Sequence, residues 1–147
     1  AKLQGALCTP VCLDESIARP RDLARALAHP ELRCYAVKAA KFGGVQPTLD
    51  FLSMAEERGI DVWMGGMYDT GVSKRLHAAL GTLPHVKAPG DIGSTARYFA
   101  QDITDPPYTA DRGFVMLNRT GHEHGLGCDL NRAVLARVLV DRIVIER

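Results

Sequence analysis

No apolar run in the 147 residues approaches the roughly 20 that cross a bilayer as a helix. The opening stretch AKLQGALCTPVCLDES lacks the basic, apolar and small-residue order of a signal peptide, so a cytoplasmic chain is expected. Charge of one sign is also missing: 18 basic residues against 17 acidic give a formal charge of +1, and the basic residues are interspersed with acidic ones. Nucleic acid and anionic membrane are therefore not expected partners. The four cysteines, Cys8, Cys12, Cys34 and Cys128, include no C-x-x-C pair, and they are read as reduced thiols of the core. There is no P-loop and no G-x-G-x-x-G after a strand, which removes the common phosphate cradles. Ser73, His77 and Asp69 invite a nucleophile and base, but without a G-x-S-x-G elbow a hydrolase is not indicated.

What is present suits a packed globular chain: 46% of residues are hydrophobic and 24% charged. LCTPVCLDES reads as a short strand, ARPRDLARALAHP as a helix with Leu23, Ala26 and Leu27 on one face, and CYAVKAA as a strand. TLDFLSMAEERGI follows as a helix stopped by Gly59, DVWMGGM as a strand, and TGVSKRLHAALGTL as a helix stopped by Gly81. Strands alternating with helices at this spacing predict right-handed βαβ units, a parallel sheet and the α/β class. Beyond Pro84 a segment rich in Pro, Gly, Asp and Thr predicts loop with one short strand or helical turn. GFVMLN then reads as a strand, TGHEHGLGCD as an ordered loop, NRAVLARVL as a short helix and DRIVIER as a final strand.

In parallel α/β folds the loops at the carboxyl ends of the strands converge on one face. Asp14, Glu15 and Ser16 stand at the end of the first strand, Lys38 and Lys41 at the second, and Gly65, Gly66 and Asp69 around the third. A charge such as Lys38 at the end of an apolar strand needs an opposite charge, a metal or water. The bland reading is an ion pair between Asp14 and Lys38 that ties two strands, with Glu15 capping the next helix. Gly65, Gly66 and Met67 make either a tight turn or a close backbone approach to a ligand. In GHEHGLGCD, residues His122, Glu123, His124, Cys128 and Asp129 suggest a metal, but H-E-H lacks the helical H-E-x-x-H spacing and the flanking glycines indicate a loop. Lys74 and Arg75 are read as a solvated helix face.

Four stretches occur together in order: TPVCLDES, YAVKAAKFGGV, GIDVWMGGMYDTGVSKRLHAAL and PGDIGSTARYFAQDI. Together they resemble the C-terminal half of an enolase-superfamily barrel, in particular the muconate-lactonizing subgroup with its o-succinylbenzoate synthases and N-acylamino acid racemases. The resemblance implies the C-terminal part of a (β/α)7β TIM-like barrel, incomplete as given. Residues 1–112 would form the partial barrel, and 113–147 a strand-loop-helix-strand segment returning toward the capping region. It implies a small carboxylate substrate and a divalent metal, Mg2+ or Mn2+, with Asp14 as one metal carboxylate and Lys38 as general base or acid, or as holder of developing charge. Gly65, Gly66 and Met67 would approach the substrate, and Glu15 and Asp69 would stand behind the site. A lyase of menaquinone formation or a racemase follows from the same resemblance.

Three departures accompany it. Asp69 stands where the family carries the longer glutamate; Ala39, Ala40, Lys41 and Phe42 replace the usual Pro-Gly-Arg turn; and the upstream lysine pair and two further metal carboxylates are not in this sequence. The chain by itself is therefore expected to be inactive. It is expected to need a missing N-terminal half, or a second copy, and the metal only with it. The contrasting expectation is a non-catalytic half-barrel, a decayed remnant or one that pairs with another chain through its open strand edges.

Overall fold

The β-prone runs CYAV and DVWM pair directly with one another. The computed structural model describes residues 1–17, 19–117 and 125–144. Its elements are α1 (Lys2–Gly5), β1 (Cys12–Leu13), α2 (Pro20–Leu27), β2 (Cys34–Val37), α3 (Ala39–Phe42), α4 (Val45–Glu57), β3 (Asp61–Met64) and α5 (Gly71–Leu80). A 3-10 turn (Thr95–Arg97), β4 (Thr104–Asp105), β5 (Asp129–Leu130) and α6 (Arg132–Val138) follow. β1, β2 and β3 form a parallel sheet in that order, with Cys12 opposite Cys34 and Cys34 opposite Asp61. This is the α/β fold with parallel strands that the alternation predicts.

The chain forms two compact units, one of Ala1–Met67 with His77–Ile92, the other of Tyr68–Leu76 with the residues from Gly93 onward. In the first unit the two faces of the sheet differ. Tyr35, Val37, Val62 and Met64 are buried together with Phe51, Leu52 and Ala55 of α4. The Phe51 ring lies 6.0 Å from that of Tyr35 and 4.8 Å from that of Phe42, so α4 covers this face. On the other face, Cys12 is exposed and Cys34 and Trp63 are half-buried. Gly59, at φ +62, ends α4 in the left-handed conformation that glycine adopts without penalty.

The second unit is organised by Asp102. Its carboxylate accepts from the Gly71 N–H at 2.9 Å, the Tyr108 N–H at 3.1 Å and the Thr104 hydroxyl at 3.0 Å. A Cβ at Gly71 would overlap the Thr104 hydroxyl and the Asp102 carboxylate, so only glycine brings the start of α5 this close. β4 and β5 pair antiparallel, and Asn131 caps α6 by accepting from the Val134 N–H at 3.1 Å.

Several expectations are corrected. β2 stops at Val37: Lys38 is still extended at φ −132, but Ala39 and Ala40 turn into α3, which Gly43 closes at φ +93. A short helix, α1, precedes the first strand, and β1 itself has two residues. The described part of GFVMLN forms only a bridge between Asp111 and Phe114, because Arg112 and Gly113 at positive φ make a tight turn. Residues 141–144 of DRIVIER form no strand; Ile143 and Val144 are exposed, with no neighbouring strand among the described residues to supply a ladder. All four cysteines are free, as expected, but they are not core residues: Cys8 and Cys12 are exposed and Cys34 and Cys128 half-buried, since Cys12 lies on the uncovered face of an edge strand. Lys74 and Arg75 are buried instead of solvated. Arg75 donates to the Pro106 carbonyl at 2.9 Å over the Tyr108 ring, and the Lys74 ammonium lies 5.3 Å from the Tyr98 ring centre.

Asp102 yields a stability prediction. Burial raises its pKa, but the N–H groups of Gly71 and Tyr108 and the hydroxyls of Thr95 and Thr104 outweigh that and hold it below the ordinary carboxylate value. A lowered folded pKa contributes stability that is whole above the unfolded value of about 3.9 and is lost as pH falls through the folded one. Asp102→Ala should cost at least about 2 kcal/mol by stranding buried N–H donors. Urea unfolding at neutral and acidic pH should show that difference shrinking with acid; a pH-independent difference would refute the assignment.

Candidate active site

Asp14 directly follows β1 and Lys38 directly follows β2, so parallel pairing brings both to the carboxyl edge of the sheet. Lys38 Nζ donates to Asp14 Oδ1 at 2.6 Å, and Lys41 Nζ donates to the same oxygen at 3.3 Å. α3 explains the second contact: one helical turn carries position 41 back to the side of position 38. The Lys38 side chain is 6% exposed and that of Asp14 25%, so the lysine is the member that depends on its partner for burial. Burial pushes the Asp14 pKa up, while the hydrogen bonds and charges of Lys38 and Lys41 pull it below the ordinary value, and the lysines prevail.

Gly65 accounts for the path of the lysine stem. Its N–H donates to the Val37 carbonyl at 2.9 Å, continuing the β2–β3 pairing by one residue. A Cβ there would stand 2.8 Å from Lys38 Cε and 3.3 Å from its Cγ. The glycine thus makes room for Lys38, a close approach between two protein groups. Gly66 is half-buried and Met67 is 52% exposed at the same strand end. Glu15 is exposed and makes no hydrogen bond or ion pair among the described residues. Asp69 is half-buried and belongs to the second unit.

Two contributors escape sequence reasoning. The Asp91 N–H donates to the Met64 carbonyl at 3.0 Å, and a Cβ at Gly90 would lie 2.8 Å from that oxygen, so the PGDI stretch seats its backbone on the end of β3. The sequence marks this stretch as loop and as part of the family resemblance, and neither signals the contact with β3. Trp63 donates its indole N–H to Cys12 Sγ at 3.2 Å, a contact that no spacing announces. His77 is buried, and its Nε2 accepts from the Ala39 N–H at 3.1 Å, so that nitrogen is not available as a base.

His122, Glu123 and His124 lie outside the described residues. Cys128 is half-buried and Asp129 is in β5. Among the described residues no group of three or more His, Cys, Asp or Glu side chains is placed to hold a metal. Asp14 offers the hard oxygen that magnesium or manganese takes, but one carboxylate that already faces two ammonium groups is too few donors. The residues present do not by themselves make a site for either ion.

Residues 1–134 match the family described as Enolase C-terminal domain-like. The chain is 35% identical over 135 residues to the o-succinylbenzoate synthase of Bacillus subtilis, covering 92% of this chain and 36% of the relative. It is 39% identical over 115 residues to the N-succinylamino acid racemase of Thermus thermophilus, covering 78% of this chain and 31% of the relative. Among solved structures, an enolase-superfamily protein of Listeria innocua superposes with a TM-score of 0.81 at 32% identity, covering 93% of this chain and 36% of that one. The muconate lactonizing enzyme of Pseudomonas putida does so with 0.79 at 26% identity, covering 92% and 37%. The chain thus spans about a third of the length of the relatives it matches, as part of a barrel.

Replacing Lys38 with methionine should raise the Asp14 pKa, because the first of the two cations that lower it is gone. Gly65→Ala should do the same with little loss of stability, since the atoms in the way belong to the flexible end of Lys38. Carboxyl carbon shifts followed by NMR during acid titration read both variants. An Asp14 midpoint unchanged in Lys38→Met would show that the ion pair does not set its charge.

Proposed function

The chain belongs to the Enolase C-terminal domain-like family, and we propose that it supplies Asp14 and Lys38 to a site that moves the proton alpha to the carboxylate of a small substrate. The specific activity we favour is o-succinylbenzoate synthase, the dehydration in menaquinone formation, with N-acylamino acid racemase beside it. The observation that carries the reading is a buried lysine held on a carboxylate at the carboxyl ends of adjacent parallel strands, with Gly65 cleared for its stem. Relatives named o-succinylbenzoate synthase and N-succinylamino acid racemase support it.

In the ion pair Lys38 is an ammonium, suited to deliver a proton or to hold negative charge that develops on the substrate. It acts in the proposal as general base or acid, or holds the developing charge. In the proposal Asp14 gives one oxygen to Mg2+ or Mn2+, and further carboxylates and lysines come from a missing N-terminal half or a second copy. The metal, when bound, would stabilise the enediolate charge. Gly65, Gly66 and Met67 would border the substrate, and Glu15 would support the site from behind. A cytoplasmic setting accords with the described residues, in which no helix is long and apolar enough to cross a membrane.

The uncovered sheet face and the edge strands β1 and β3 favour a second reading, a non-catalytic half-barrel that pairs with another chain. Native mass measurement followed by magnesium-dependent exchange of the alpha proton of an N-succinylamino acid with solvent deuterium separates the two. Exchange in an assembly larger than this chain, reduced roughly 10²–10⁴-fold by Lys38→Ala, is the expected result. Exchange untouched by Lys38→Ala sinks the catalytic proposal, and an assembly that never exchanges favours the second reading.

A further inference from the structure

Cys12 and Cys34 occupy opposed positions in the β1–β2 register, on the sheet face that α4 leaves uncovered. Neighbouring strands lie about 4.8 Å apart, within the roughly 4.4–6.8 Å between Cα atoms that a disulfide spans. The Cys12 side chain stands close enough to Cys34 to help push its thiol pKa up. β1 is a two-residue edge strand, so it can adjust by the small amount that bridging two parallel side chains demands. The Trp63 indole N–H reaches across β2 to donate to the Cys12 sulfur at 3.2 Å.

We propose that Cys12 and Cys34 are a redox pair that a peroxide oxidises to a reversible disulfide, stapling β1 to β2 beneath Asp14 and Lys38. This assignment is independent of the proposed catalytic role. The two sulfurs are unequal. Cys12 is exposed and Cys34 half-buried, burial being the main cause that pushes the Cys34 thiol up to about 11, so a peroxide meets Cys12 first. The exposed Cys12 sulfur attacks a peroxide oxygen: an S–O bond forms, the O–O bond breaks, and the leaving hydroxide departs as water with the Cys12 proton. Cys34 sulfur then attacks the sulfenic sulfur of Cys12; the S–S bond forms, the S–O bond breaks, and a second water leaves with the Cys34 proton. Two thiols give up two electrons to one peroxide, and a thiol reductant reverses the bridge.

The staple would sit two residues before Asp14 and four before Lys38, so it fixes the separation of the strands that carry them. Trp63, the 1 tryptophan of the chain, would report the change through its contact with Cys12.

The test is hydrogen peroxide titration of the folded chain, alkylation of residual thiols, and non-reducing peptide mapping by mass spectrometry. Cys8 is also exposed and shares a tryptic peptide with Cys12, so the mapping is run on Cys8→Ser as well. The expected product joins the Cys12 peptide to CYAVK, persists in Cys8→Ser, disappears in Cys12→Ser, and is reversed by dithiothreitol together with the change in Trp63 emission. A bridge from Cys8, a bridge between molecules, or Cys12 advancing to sulfinic acid with Cys34 still free would each overturn it. Circular dichroism on each serine variant establishes that loss of the bridge is not loss of fold.

Discussion

Parallel pairing in a common register is the constraint from which the rest of this structure follows. Cys12, Cys34 and Asp61 share one level of the sheet, so residues a fixed distance further along each strand arrive together at its carboxyl edge. Side-chain alternation then sorts them. Tyr35, Val37, Val62 and Met64 go to the helix-covered face. Asp14 and Lys38 meet on the other, with Trp63 and the two cysteines. A slip of one residue in β1 would turn Asp14 away from Lys38 and leave a buried ammonium without its nearest carboxylate.

The helical layer and the charged edge play complementary parts. α4 gives the sheet a dry side through Phe51 and Leu52, and that packing, not the ion pair, supplies most of the stabilisation available to so small a sheet. The ion pair contributes position. Its attraction is offset by desolvation of Lys38, so its main effect is to fix where one ammonium nitrogen stands. In the second unit Asp102 plays the comparable role for backbone, gathering N–H groups from positions 71 and 108 onto one carboxylate.

Much of this was legible in the sequence because it rests on local rules. The βα alternation, the stop at Gly59 and the pairing of Asp14 with Lys38 follow from periodicity, glycine geometry and the cost of an isolated buried charge. What escaped depends on partners far along the chain. Lys74 and Arg75 carry the composition of a wet helix face, yet backbone carbonyls and aromatic rings receive them. DRIVIER has strand composition, but composition supplies no neighbour to pair with among the described residues. Cys12 resembles a core thiol until one counts which face α4 covers. The Ala-Ala pair after Lys38 continued an apolar run, and only the glycine at 43 signalled that a helical turn fits there.

The approach of Gly65 to the Lys38 stem has an evolutionary corollary. The two positions are tied by shared volume, so substitution at one alters what the other tolerates. A lineage that abandoned lysine at 38 for a short side chain would release position 65 to accept an alanine or serine. A lineage that first filled position 65 would crowd the lysine off its carboxylate while the fold survived. Loss of chemistry and loss of structure are thereby decoupled at this point, and the pair of positions, read together, would record which of the two had been kept.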